Sequence, residues 1–308
     1  MKYFFIINGR ADRRSIADEV QRQLDLYTNA HPDTGDSYAI YITKGIGDAT
    51  RFVRIYCDLH DREEVCFVAV GGDGMLNDVA TGLVGAGSNK SMALLKLGCT
   101  NNDFTLYYPH YDFAQVASVI EGTSHKLDII RINDNYALNV CCFGFDSVVA
   151  TTAANASLSG KKNGFLLGMI KGFLLGRYNA IQVWADGERL NRRYLTSCSL
   201  ANCTHVGNGI PCAPRAKNDD GLIEVCLFKT MSLVRFLVTL KRCLNGSQLD
   251  KKDRKTVYRQ ARQVIVKSRD LVELCIDGNM LPGSHFDIEI LPQAITMRLK
   301  PKTANSDL

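Results

Sequence analysis

Four short stretches of this 308-residue chain gather residues able to handle a phosphate, a proton or a hard cation. The first is "VAVGGDGMLNDVATGL", residues 68–83, where Gly71, Gly72 and Gly74 surround Asp73 and lead into Asn77 and Asp78. Glycine lets a backbone turn sharply or lie against a ligand, and amides of such a turn at a helix start favour phosphate. Asp73 there suits the orientation of Mg²⁺ or of a phosphate, and equally the capping of its own helix. The second is "KLGCTNNDFTL", in which Cys99, Thr100, Asn101, Asn102 and Asp103 follow Gly98. Such groups suit a ribose, a phosphate or a metal-bound water, or a loop that caps the next helix. The third, "GIPCAPRAKNDDGLIEV", sets Asp219–Asp220–Gly221 before a strand, as a plain turn or as an oxygen-donor loop for Mg²⁺. The fourth, "ELCIDGNML", ends a strand-like run on Asp277, which is either aimed into a cleft or part of a D-G hairpin turn.

The elements that must position these stretches change character near residue 125. Before it, apolar runs such as "KYFFIIN", "SYAIYIT", "EEVCFVAV" and "MALLKLG" alternate with helical spacing in "SIADEVQRQLDLY", "GDATRFVRIYCDL", "MLNDVATGLVGA" and "DFAQVASVIEG". That alternation predicts a doubly wound α/β domain over 1–124, with ligands beyond the carboxyl ends of its strands. Beyond it, "HKLDIIRIN", "NYALNVCCFGF", "AIQVWADGERL", "RRYLTSCSLAN", "GLIEVCLFKT", "QVIVKS", "LVELCIDGN" and "FDIEILPQ" read as strands divided by turn residues. They predict a mainly antiparallel β-sandwich over 125–292, interrupted by helical segments at "NGFLLGMIKGFLLGRY" and "SLVRFLVTLKRCLNG". The tail 293–308 is free to return to the first domain.

Bulk properties narrow the class. Apolar residues are 46% and charged residues 22%, as in a globular protein, and a net charge of +5 tolerates an anionic partner without demanding nucleic acid. Eleven cysteines contain no C-x-x-C pair, which points to reduced thiols in a cytoplasmic protein rather than disulfides or zinc. "YFFII" is shorter than a signal-peptide core, and no run reaches the ~18 apolar residues of a spanning helix.

Taken in order and spacing, the four stretches resemble the diacylglycerol kinase catalytic-domain family, which includes bacterial lipid kinases, sphingosine kinases and ceramide kinases. GGDG followed by N-D, then T-x-N-D-F, A-x-x-x-D-D-G and a late D-G carry the likeness. "IIN", Thr43 with "GDA", and "YALNVCCFGFDSVVA" extend it over nearly the whole chain. The resemblance implies ATP on the α/β half, lipid in the β half, and Mg²⁺. It places Asn8, Thr43, Gly71, Gly72, Asp73, Gly74, Met75, Leu76, Asn77, Thr100, Asn102 and Asp103 at nucleotide-binding positions. It also implies a metal held by Asp220 with the carbonyls of Lys217 and Leu222, a catalytic role for Asp73, and Asp277 as general base for the lipid hydroxyl. Departures are Asn8 followed by "GRAD" rather than P-x-x-G, Met75 for Thr, Asp78 for Glu, Cys99 and Asn101 for small residues, and Asn279 for Glu.

Gly164, Gly168, Gly172 and Gly176, four residues apart, suggest either a close-packed helix stripe or a mobile flap over a lipid channel. "DKKDRK" at 250–255 reads as a solvated loop, with membrane docking as its alternative. The resulting expectation is an ATP- and Mg²⁺-dependent lipid kinase acting on diacylglycerol or a sphingoid-type lipid. It would be cytoplasmic, with peripheral contact at the inner membrane face, no nucleic-acid partner, and a homodimer allowed. A catalytically impaired nucleotide- or lipid-binding homologue and an NAD kinase are the alternatives.

Overall fold

The structure is a computed structural model that describes residues 1–9, 13–99, 102–144, 180–192, 194–207, 209–250 and 253–302. Thr100 and the glycine stripe at 164–176 lie outside the described residues. The chain divides into two compact units, Met1–Leu127 with Gln293–Leu308, and Asp128–Pro292.

In the first unit, strands β1 (Lys2–Ile7), β2 (Ser37–Ile42), β3 (Val65–Val70) and β4 (Lys90–Leu95) are parallel, in the order β2-β1-β3-β4. Met297, late in strand β14 (Asn279–Leu299), pairs in parallel with Met92 of β4. β3 and β4 are buried along their whole length, as continuous apolar strands covered on both faces must be. Helix α1 (Arg13–Ala30) turns Val20, Leu24 and Tyr27 inward against Tyr3, Phe5 and Ile7 of β1, the stripe that its helical spacing predicts. Helix α2 (Asp48–Leu59) buries Ala49, Val53 and Cys57, and α3 (Asp73–Leu83) follows the glycine turn.

The helix expected over "DFAQVASVIEG" is shorter than its periodicity suggests. After α4 (Asp103–Tyr107), only α5 (Val116–Ile120) is helical there. Asp112 instead accepts from the Ala114 amide (2.8 Å) and from the Ser118 hydroxyl, a local turn that competes with helix.

The second unit is the antiparallel β-sandwich. Strands β12 (Thr256–Ala261), β11 (Ile223–Lys229), β10 (Leu195–Ala201), β7 (Val140–Gly144) and β13 (Gln263–Ile276) are neighbours in that order, and β13 pairs onward with β14. The two runs expected as separate strands, "QVIVKS" and "LVELCIDGN", are one strand, β13. Its register against β14 shifts between Lys267 and Val272. The segment before the shift pairs with β8 (Ile181–Ala185), which carries β9 (Glu188–Arg189), and the segment after it pairs with β7. A bulge that hands one strand from neighbour to neighbour is how sandwiches turn corners. Phe143, Phe286, Leu274, Val264 and Leu200 fill the core between them.

"NYALNVCCFGF", expected as one strand, is two. β6 (Asn135–Ala137) pairs with β5 (Thr123–Ile132), and the chain breaks at Leu138–Asn139 before β7 begins. The break has an electrostatic cause, described below. Helix α6 (Leu233–Leu244) covers "SLVRFLVTLKRCLNG".

Candidate functional site

In the first unit, the strand order reverses between β1 and β3. Both β2 and β3 flank β1, and Ile7 lies level with both Ile42 and Val70. Ligands of open α/β sheets bind outside the carboxyl ends of the strands at such a switch point. Asn8 leaves β1 there, Thr43 leaves β2, and Gly71 leaves β3, so residues 28 to 63 apart in sequence meet on one edge. Gly9 is locked to this edge. Its amide donates to Thr43 Oγ1 (3.0 Å), while Thr43 donates from its own amide to the Ile7 carbonyl (2.9 Å). A Cβ on Gly9 would lie 1.9 Å from the Thr43 carbonyl oxygen, so no other residue fits.

The glycine turn follows. Gly71 takes φ +143°, open only to glycine at little cost, and its amide donates to the Leu95 carbonyl of β4 (3.1 Å). Gly72 is the N-cap of α3 and has no side chain with which to cap it. The expected alternative, Asp73 capping its own helix, is not what forms. Asp73 is the first residue of α3, and its carboxylate reaches to the start of α4. Oδ2 accepts from the Asp103 amide (2.7 Å) and Oδ1 from the Phe104 amide (3.1 Å). Asn102 caps α4, with Oδ1 accepting from the Thr105 amide (3.1 Å), while its Nδ2 reaches the Gly71 carbonyl (3.5 Å). The GGDG turn and Asn102–Phe104 are therefore one hydrogen-bonded assembly. Met75, Leu76 and Asn77 are buried in the first turns of α3. Burial also raises the carboxyl pKa of the neighbouring Asp78.

The segment beginning at Thr43 is stiffened by Asp48, which the sequence reading matched only as part of "GDA". Its buried carboxylate accepts from the Lys44 amide (2.8 Å), the Arg51 guanidinium (2.7 Å) and the Tyr41 hydroxyl (2.9 Å). Those donors, the amide first, hold its pKa down at about 2.

In the second unit, Asp277 sits in the turn between β13 and β14 with φ +44°, a conformation that aspartate and asparagine tolerate better than most residues. Its carboxylate accepts the amides of Leu138 (2.7 Å), Asn139 (3.1 Å) and Val140 (2.8 Å). The carboxylate takes these amides in place of a continuous ladder, and the strand predicted across 135–145 breaks at Leu138–Asn139. A carboxylate offers about four lone-pair positions, and these amides hold it in place.

Asp220 lies in the turn before β11, exposed, with Oδ1 accepting the Leu222 amide (3.1 Å). Partial desolvation raises its pKa, and the carboxylates of Asp128 and Asp219 add to the effect. The donors available at Lys217, Asp220 and Leu222 are all oxygens, which fits a hard cation, with a single carboxylate charge among them. Among the described residues no group of three or more His, Cys, Asp or Glu side chains is placed to hold a metal, so such a cation would lean on carbonyls and water.

Sequence reasoning missed what ties this loop to Asp277. Asp128, fully buried in β5, accepts the Gly221 amide (2.7 Å) and donates its own amide to the Asn218 carbonyl (2.7 Å). Asn202 then bridges, its Nδ2 donating to the carbonyls of Asp128 (2.9 Å) and Leu138 (2.8 Å). The amide of Leu138 is held by Asp277. A carboxylate at an inward position of the apolar run "HKLDIIRIN" was the available signal, since a buried charge needs donors.

A doubly wound sheet with a glycine turn at its switch point, joined in sequence to an antiparallel sandwich, defines a two-domain α/β-plus-β protein. Residues 2–132 match the diacylglycerol kinase catalytic domain, and residues 139–299 match the YegS C-terminal NAD kinase beta sandwich-like domain. The chain belongs to the diacylglycerol kinase catalytic-domain family. It is 27% identical over 271 residues to the probable lipid kinase YegS-like of Chromohalobacter salexigens, covering 86% of this chain and 85% of that one. It is 25% identical over 297 residues to the diacylglycerol kinase of Bacillus subtilis, covering 92% of each. A crystal structure of a diacylglycerol kinase from Bacillus anthracis shares the fold, with a TM-score of 0.68 at 19% identity over 97% of both chains. Among the described residues no helix is long and apolar enough to cross a membrane.

Proposed function

We propose that this chain is a lipid kinase that transfers the γ-phosphate of ATP to a hydroxyl of diacylglycerol or a sphingoid-type lipid at the cytoplasmic membrane face. The observation that carries this is the convergence of Asn8, Gly9, Thr43, the GGDG turn and Asn102–Asp103 on one sheet edge in a member of this family. In this assignment the turn amides and α3 start hold phosphate, and Asp73 fixes the spacing between turn and α4. Mg²⁺, when bound, supplies charge neutralisation of the phosphates, and Asp220 with the carbonyls of Lys217 and Leu222 would hold it. Asp277 accepts the proton of the lipid hydroxyl at a carboxylate oxygen as that hydroxyl oxygen bonds to phosphorus and ADP departs with its bonding pair.

The test incubates the protein with labelled ATP and Mg²⁺ against diacylglycerol, sphingosine, ceramide and NAD. Label in a lipid, lost in Asp277→Asn, supports the assignment. Label in NADP, or ATP binding without turnover, overturns it. The second outcome identifies the impaired homologue, which Met75 in the phosphate turn favours.

A further inference from the structure

We propose that α6 and the cavity at the residues leading into it form the surface by which this protein docks on an anionic phospholipid bilayer. This rests on the lipid-kinase assignment for its purpose, but the binding can be measured without it.

α6 is amphipathic with a second apolar side facing out. Phe236 and Thr239 are buried, while Val234 is 75% exposed, Val238 50% and Leu237 47%, with Leu233 and Leu244 exposed beside them. A helix on a water-facing surface normally turns charge outward. A cavity of about 540 Å³ is lined by Lys229 and Thr230, the residues leading into α6, and among the described residues its lining carries the cations Arg189, Arg192, Lys229 and Lys255, with Tyr194, and no carboxylate. The two features are tied into one surface. Lys255 Nζ donates to the Thr230 carbonyl (2.8 Å), the Lys229 amide donates to the Lys255 carbonyl (2.8 Å), and Arg235 of α6 pairs with Asp253 (2.7 Å), which also caps the Lys255 amide (2.8 Å). Lys241 and Arg242 add charge at the last turn of α6.

Exposed aliphatic side chains flanked by cations, with a half-exposed tyrosine, suit the headgroup boundary of an anionic leaflet. A second copy of this chain fits less well. A two-fold contact on this face would bring the same cations against one another.

The experiment is co-sedimentation of the full chain with vesicles of phosphatidylcholine alone and of phosphatidylcholine mixed with phosphatidylglycerol. Stronger binding to the mixed vesicles, released by salt, is expected. Arg192→Gln with Lys229→Gln should weaken it by about tenfold or more, since each cation near such a surface contributes severalfold. Val234→Ser with Leu237→Ser should weaken it in both vesicle types, and both variants should keep the wild-type rate on a short-chain, monomeric diacylglycerol. Equal binding to both vesicle types, unchanged binding in either variant, or a dimer in solution that the serine variant dissolves would overturn the proposal. Lack of transfer to the monomeric lipid by every form, with vesicle binding as expected, would count against the kinase assignment alone.

Discussion

Asp73 Oδ2 accepts the backbone amide of Asp103 at 2.7 Å, so the carboxylate that opens α3 closes the start of α4. Two segments 30 residues apart thereby share one charge. Replacing Asp73 with alanine should release both amides and cost about 1–3 kcal/mol. Amide exchange at Asp103 and Phe104 should quicken, and phosphoryl transfer should collapse. Quickened exchange with an undiminished transfer rate would leave Asp73 a structural residue.

Asp277→Asn keeps size and accepts the positive φ, but its Nδ2 cannot accept an amide as the carboxylate oxygen it replaces does, so the turn should weaken by about 1–3 kcal/mol. The variant should stay folded with a lowered melting temperature and transfer phosphate about 10²–10⁴-fold more slowly, the usual range for a lost general base. Loss of the folded state instead would show that the three amides of 138–140 depend on the charge itself.

Thr43→Val removes the acceptor for the Gly9 amide and should cost about 1–2 kcal/mol while raising the KM for ATP. Thr43→Ser should restore both. Gly9→Ala, with its Cβ on the Thr43 carbonyl, should destabilise far more than either, as a thermal melt will report.

The donors on Asp48 set an acid limit. Its folded pKa, about 2, lies below the unfolded value of 3.8, so its stabilisation is complete above about pH 5 and fades as pH falls toward 2. Asp48→Asn should therefore lower the melting temperature at pH 7 and converge on the wild type near pH 2–3. A gap that is constant across this range would mean that its ionisation does not contribute.

Met75→Thr exchanges a buried thioether for the hydroxyl usual in this family. It should cost about 1–2 kcal/mol of burial and lower the KM for ATP severalfold. Loss of stability without a gain in ATP affinity would place Met75 outside the phosphate turn.

Much of the candidate site was legible in the order of residues. GGDG, "NNDF", "NDDG" and "IDG" are short, local and glycine-marked, and their spacing carries the family likeness. The alternation of strands and helices also showed the first domain, because each element there buries a face that repeats with its own period. Less legible were positions where a distant polar group overrides local preference. Nothing near "NYALNVCCFGF" says that Asp277 will take three of its amides, and nothing near "DFAQVASVIEG" outweighs its helical period except a carboxylate at its start.

From the sequence alone came the two-part organisation and the residues able to bind phosphate and move a proton, because residue type and spacing are local properties. Only the tertiary structure decided which of those residues meet. Strand order brings Asn8, Thr43 and Gly71 to one edge, and Asp73 turns from its own helix to cap another. Asp128 and Asn202 link the loop at Asp220 to the turn at Asp277. The physical reason is that a buried carboxylate must find donors wherever the fold supplies them, and those donors lie tens of residues away.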